Sequence, residues 1–447
     1  MTWTRRDFLS TALTSLAILP LAGKGLPSDV FRPGGPASGR DHALLDELQR
    51  ASFEFFWHEA DPITGLVRDR ANAEGGGEHA KSSMAATGFG LTALCIGHHR
   101  NYRSRDEIVA RVRQTLHFLA NQAPHVEGFL YHFVEMQNGQ RKANSELSPI
   151  DTAILLSGAL TCRAYFFDDE QIRQDATTLY HRVNWPWALN GGHTFALAWR
   201  PGSGFNHLRW DAYCESMMLY LLAVGSPTHP IPERCWRSIR RPAVIYGDYR
   251  FISTPAPLFV HQFSHAWFDF RDQQDDFADY FENSVVASHA HRHFCHELSN
   301  RFPSYSEKIW GITASDSSSG YVVWGGPPSL GPIDGTVVPA AAAGSLPFVF
   351  NESMSVLRNL RDHYGDKIWK RYGFVDAFNP LTGWASSDVL GIDVGISMLM
   401  AENARGQFVW NTFMRNREAQ VAMERVGFRP LGTNSSHATR LSANTQS

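Results

Sequence analysis

Trp210 to Pro227 reads WDAYCESMMLYLLAVGSP. The spacing predicts a helix through most of this stretch, with Tyr213, Met217 and Tyr220 on one face and Leu219, Leu222 and Ala223 packed beside them. Gly225 and then Pro227 supply the stop. An apolar helix of this kind belongs inside a larger helical body. Glu215 lies within the apolar run, where an isolated charge is too costly; it must be paired, hydrogen-bonded or protonated. A carboxyl that holds its proton suits a general acid acting on a leaving oxygen. The plainer alternative is a helix glutamate bonded to a nearby Arg or Tyr.

Outward from this stretch, one grammar repeats from Asp41 onward. A helix of 12 to 20 residues is followed by a loop rich in Gly, Pro, Trp and polar residues. Candidate helices fall near 42–59, 83–99, 105–122, 149–167, 169–184, 209–223, 232–240, 261–278, 279–300, 335–344, 351–363 and 393–404. Strand-like runs are short: 129–135, 244–252 and 321–324. The pattern is all-α. About a dozen helices predict a toroid of six inner and six outer helices in one domain, 41–425, with long functional loops at one rim. The last residues, 426–447, read as a disordered tail.

The 447-residue chain carries a formal net charge of −3 and no basic stripe, which excludes nucleic acid as the expected partner. Its 13 Trp and 12% aromatic content suit stacking on sugar faces as well as core filling. Thr4-Arg5-Arg6-Asp7-Phe8-Leu9, followed by an apolar run to Ala22, reads as a twin-arginine export signal over 1–22. A Gly/Pro/Ser-rich linker, 23–40, follows. The expected location is the periplasm or outside the cell, with no membrane span in the mature form and a monomeric state. The five cysteines match no zinc or disulfide framework, and no cofactor or metal is expected.

Polar residues that could line a cleft are dispersed along the chain. Asp69, in Gly65–Arg70, could bind a sugar hydroxyl or pair with Arg68 or Arg70. Ser82 or Ser83 reads as an N-cap. Glu146 precedes a helix that starts at Ser148-Pro149, whereas Asp151 also fits a capping role in its first turn. His261 and His265 stand one helical turn apart, but Gln262 occupies the place of the metalloprotease glutamate. Gln262 and His265 therefore read as hydroxyl ligands or as a buried polar network. The cluster His289, His291, His293 and His296 reads as a polar helix face rather than a zinc site. Trp310 and Asp316, Tyr321, and Trp384 with Asp388 complete the candidate sugar contacts, together with Trp210 and Tyr213. Asp393 heads an apolar helix and is either a cap or a second catalytic carboxylate.

Six ordered segments carry a family resemblance: SELSPIDTA (145–153), 210–227, PLFVHQFSHAWFDFRD (257–272), WGITASD (310–316), DGTVVPAAAAGSLPF (334–348) and LGIDVGISMLMAENAR (390–405). Together they resemble the bacterial glycoamylase-like domain, a group that contains the endo-β-1,2-glucanases of glycoside hydrolase family 144. The resemblance implies an (α/α)6 barrel and a metal-independent, inverting glycosidase. It implies Glu215 as the acid and Asp393 as the base, with Glu146 and Asp151 in the cleft. Cys214 and Val394 depart from the residues expected beside those two carboxylates. The expected substrate is a β-glucan, first of all β-1,2-glucan cleaved internally. The alternatives are another glucan or oligosaccharide, or a non-catalytic carbohydrate-binding protein. Inversion needs two carboxyl groups roughly 6.5–9.5 Å apart, which two different inner elements of a toroid can supply.

Overall fold

The computed structural model describes residues 38–76, 81–254, 257–327 and 331–432. The export signal and all but the end of the linker lie outside the described residues. In chain order the main helices are α1 Gly39–His58, α2 Met84–His99, α3 Arg105–Asn121, α4 Pro149–Tyr165, α5 Glu170–His181 and α6 Met217–Gly225. They continue with α7 Tyr280–Glu297, α8 Pro339–Ala343, α9 Phe350–Ile368, α10 Gly391–Gly406 and α11 Arg417–Val426.

These elements sort into two rings by which faces are apolar. Every residue of α6 is buried, as is α2 from Met84 to Gly97 and α4 from Pro149 to Cys162. A helix apolar on all sides must be covered on all sides. The inner ring closes through a continuous set of contacts. α10 packs on α2, α2 on α4, and α4 on α6. The Ser264 hydroxyl then joins the Met218 N–H (3.1 Å) to the Glu215 carbonyl (2.8 Å). Gln262 Nε2 donates to the Ala341 carbonyl and to Ser345 Oγ, both at 2.9 Å, and α8 returns to α10. Outside, α1, α3, α5, α7, α9 and α11 cover this ring with one apolar face each.

Local signals set several helix starts. Ser38 with Asp41, and Ser104 with Glu107, form reciprocal capping boxes at α1 and α3. Ser83 caps α2, and Ser148 caps α4 ahead of Pro149. The strands are two-stranded hairpins and short ties. The expected runs appear as Phe129–Leu130 and Phe133–Glu135, the hairpin Ala243–Tyr246 with Tyr249–Ile252, and Gly320–Val322 paired with Ser315–Ser317. The body also extends past residue 425, since Arg429–Pro430 pairs with Gln273–Gln274. Residues 433–447 of the expected tail lie outside the described residues.

Three expected helices differ, and the one expected at 232–240 shrinks to the single turn Arg234–Arg237. The helix expected at 209–223 starts only at Met217. Ahead of it, Arg209–Trp210 pairs with Phe195–Ala196, and residues 211–213 exchange backbone hydrogen bonds with Arg240. Those tertiary partners take the groups that a helix would have used internally. The stretch 261–278 is not one helix but the 3-10 turns Leu258–His261 and Ser264–Ala266, followed by irregular chain. Here the side chains of Gln262 and Ser264 serve neighbouring inner elements, and the chain bends to let them.

The α2–α4 crossing depends on paired glycines. A Cβ on Gly158 would lie 2.8 Å from the Gly88 carbonyl carbon, and one on Gly88 would lie 2.6 Å from Leu155 Cα. Backbone cannot yield as a flexible side chain would, so Gly158→Ala is expected to cost about 1–3 kcal/mol in urea denaturation. A second prediction concerns acid. Burial lowers the pKa of His291 to about 3, and the same holds for His261 and His265, where a neighbouring histidine adds to burial. His291 Nε2 accepts the Ile312 N–H at 2.9 Å, a bond that protonation of that nitrogen removes. The folded state thus binds fewer protons than the unfolded one, and stability present above pH ~6.5 is lost as pH falls toward 3. Each imidazole contributes a slope of up to about 1.4 kcal/mol per pH unit. Unfolding midpoints measured from pH 7 to pH 4 should fall steeply, and less steeply in His291→Gln.

Candidate active site

The loops that precede the inner elements meet at one end of the toroid around a cleft of about 830 Å³. Antiparallel pairing of Arg70–Asn72 with Asp388–Leu390 fixes the first wall, and the Gly391 N–H donates to the Asp69 carbonyl at 2.8 Å. Lys81–Ser83 pairs with Phe133–Glu135 to place the next. The Leu147 and Trp199 backbones bond to each other and so hold Glu146, one residue ahead, at the mouth of α4.

Glu215 lines this cleft while being only 3% exposed. It stands two residues ahead of α6, and Ser264 grips its backbone carbonyl. Trp210, Tyr321 and Trp384 line the cleft as well, as do Asp69, Glu146, Asp151 and Asp316. Several of these acids meet cations that sequence reading passed over. Arg70 forks both oxygens of Asp316 at 3.1 and 3.0 Å and stands 3.7 Å from both Asp69 and Asp388. Burial alone would weaken the Arg70 charge, but Asp316, Asp69 and the more distant Asp376 hold the guanidinium protonated well above the usual arginine value. Lys81 adds a 3.0 Å contact to Asp69 and lies over the Phe133 ring. On the other wall His132 Nδ1 is 3.0 Å from Glu146 and Nε2 is 3.7 Å from Asp151; Arg200 reaches Glu146 at 3.3 Å.

Asp151 borders the cleft from the first turn of α4, where its N–H donates to the capping Ser148 Oγ (3.2 Å). The pairing of Asp69 with Arg70 was legible; His132 and Arg200 were not, because an isolated His or Arg in a loop carries no spacing signal.

Other candidates do not line the cleft. Tyr213 is buried with its hydroxyl 3.1 Å from His261 Nδ1. Gln262 ties the ring to α8, and His265 lies in the core with Nε2 3.1 Å from Ser284 Oγ. Trp310 is fully buried against His291. Gln262 and His265 belong to the inner-ring turns at 258–266, whereas Tyr213 and Trp310 lie in loops whose side chains pack into the core. Asp388 borders the Arg70 cluster beside the cleft-lining Ser386 and Ser387. Asp393, in the first turn of α10, lines a second, smaller pocket of about 20 Å³ together with Asp376.

Arg70 offsets three carboxylates at once. Arg70→Ala is therefore expected to destabilise the fold by about 3 kcal/mol at pH 7, a loss that chemical denaturation measures.

Comparison with known proteins agrees with this architecture. Residues 207–417 match the family model described as "Putative glucoamylase". A Parabacteroides distasonis exo-β-1,2-glucooligosaccharide sophorohydrolase acting at the non-reducing end is 28% identical over 86% of this chain. The chain spans 58% of that relative's length. The Chitinophaga pinensis endo-β-1,2-glucanase, solved with sophorotriose and glucose, superposes with a TM-score of 0.82 at 26% identity. That match covers 87% of this chain and 98% of the other. A Bacteroides uniformis protein described as a putative glucoamylase gives 0.82 at 27% identity, over 90% and 100% of the two chains. The glycoamylase-like resemblance and the six-hairpin (α/α)6 toroid are thus borne out.

Proposed function

We propose that this chain is a glycoside hydrolase that cleaves β-1,2-glucan, acting within the chain by an inverting acid/base mechanism. The observation that carries the reading is a buried Glu215 opening onto a cleft lined by carboxylates and aromatic rings, in a toroid similar along its length to the Chitinophaga glucanase. Glucose units linked through O2 present hydroxyls for Asp69, Glu146 and Asp151 and apolar ring faces for Trp384, Tyr321 and Trp210. Glu215 would donate its proton to the glycosidic oxygen as the C1–O bond breaks. A carboxylate across the cleft would take a proton from water as that water attacks C1 from the opposite face.

Three steps round the inner ring in either direction separate α6 from α10, which favours the carboxylates around the head of α10 as partners of Glu215. Asp393 is the base that the family resemblance implies, and Asp316 is the carboxylate of that wall already lining the cleft. Asp393 would have to turn out of its pocket when substrate binds, whereas Asp316 would have to give up part of its Arg70 fork.

The proposal extends to export through the twin-arginine segment, to a periplasmic or secreted location and to a monomeric state. Among the described residues no helix is long and apolar enough to cross a membrane.

Purified protein incubated with linear β-1,2-glucan is expected to release sophoro-oligosaccharides of inverted configuration, followed by NMR of the product anomers. Glu215→Gln should lose about 10²–10⁴-fold in kcat. Azide should restore cleavage to whichever of Asp393→Asn and Asp316→Asn has lost the base. An inactive wild type across a panel of glucans would overturn the hydrolase reading and favour a carbohydrate-binding protein. Activity confined to another linkage would overturn the substrate.

A further inference from the structure

Behind the cleft wall, Asp376 and Asp393 occupy a pocket in which no lysine, arginine or histidine is among the lining residues. Asp376 is 3% exposed and Asp393 7%. Two carboxyl groups buried on the wall of one pocket of about 20 Å³, with no cation in its lining, cannot both keep their charge: one must carry a proton. Asp376 also makes two backbone contacts that span the rim. Its Oδ2 accepts the Asp316 N–H at 2.6 Å, and its own N–H donates to the Asp388 carbonyl at 3.0 Å. These strands, 315–317 and 388–390, carry Asp316 and Asp388, the acids gathered around Arg70.

The placement of the proton follows from the surroundings. Asp393 is the third residue of the 16-residue α10, where the helix N-terminus favours the ionised form. Asp376 lies deeper and off any helix. Burial, followed by the charges of Asp393 and Asp316, pushes its carboxyl well above the ordinary carboxylate range, against the pull of the Asp316 N–H. The other charged groups near it are few. Tyr372 lines the pocket and donates a hydrogen bond from its hydroxyl to Glu59, while Arg70 pairs directly with Asp316 and feels Asp376 only from farther off. Leu48 and Ser52 from α1, with Pro339 and Ala340 from α8, contribute no charge.

We infer that Asp376 and Asp393 share a single proton, held on Asp376 and donated to the Asp393 carboxylate, and that Asp376 is a positioning residue tying the head of α10 to both rim strands. Asparagine can copy this arrangement, since its oxygen accepts from Asp316 and its NH₂ donates to Asp393. Alanine can do neither. The consequence for stability has a definite sign. A folded-state pKa raised above the unfolded value of ~3.9 means the folded form keeps a proton that the unfolded form releases, so wild-type stability falls as pH rises between the two values. Asparagine has no proton to lose.

Urea unfolding of the full chain from pH 4 to 9 tests this without any substrate. The stability of Asp376→Asn relative to wild type should rise by up to tenfold in the folding equilibrium per pH unit above pH ~4, then level off where wild-type Asp376 itself ionises. Asp376→Ala should be less stable than Asp376→Asn throughout. Curves for wild type and Asp376→Asn that run parallel would overturn the shared proton. So would an asparagine variant as damaged as the alanine one, because the negative charge would then be what the site needs. A second measurement rests on the glycosidase reading: Asp376→Asn should recover on β-1,2-glucan at least tenfold of the kcat that Asp376→Ala loses. If no glucan is cleaved, that reading fails, while the unfolding curves still decide the shared proton.

Discussion

A helix buried on every side can offer chemistry only at its ends. The inner ring is built from such elements, and no side face of α2, α4 or α6 is left over for a substrate. Apart from Asp316 and Tyr321 on the hairpin 315–322, the acidic and aromatic residues of the cleft accordingly lie in the segments leading into inner helices or in a first turn. Asp69 and Lys81 come before α2, Glu146 and Asp151 flank the start of α4, Glu215 precedes α6, and Trp384 to Leu390 lead into α10. The rim is made of short strand ties because these loops have to be rigid without being helical. The positive ends of several helices consequently point toward the cleft, a favourable setting for its carboxylates.

Charge in the rim is held by sharing. Arg70 serves three aspartates, His132 stands between Glu146 and Asp151, and Lys81 combines an ion pair with a ring contact. Such linked pairs fix side-chain orientation more than they add stability, since removing two charges from water offsets much of their attraction. Orientation is what a sugar-binding cleft needs, because hydroxyl groups are discriminated by direction. The same reasoning separates the two faces of the acidic wall. Asp316 is oriented by a cation in front, whereas Asp376 behind it is held by the Asp316 backbone N–H.

The fold was legible because its evidence is repetitive. Caps such as Ser148-Pro149 and the all-apolar runs of the inner helices are local properties of the chain, and they persist in the structure. The failures occurred where tertiary partners took over the backbone, as at Trp210–Tyr213 and Leu258–Ala266. The cleft was legible through its acids and its rings. Gln262, His265, Tyr213 and Trp310 share the composition of those residues but are buried in the core, and nothing in spacing alone tells rim from core. Arg70 was visible as a neighbour of Asp69, but its role as a hub needs Asp316 and Asp388, more than 240 positions away.

Closure of the inner ring joins α10 to α1 and α2, pairing residues 391–406 with the first hundred of the chain. During synthesis the ring therefore stands as an open crescent with two greasy edges until nearly the whole sequence has left the ribosome. Glu215 exists at that stage, but the wall it faces does not. A nascent chain of this shape has to be shielded from its neighbours while it waits, and a fragment that lacks either end of the ring lacks one wall of the cleft.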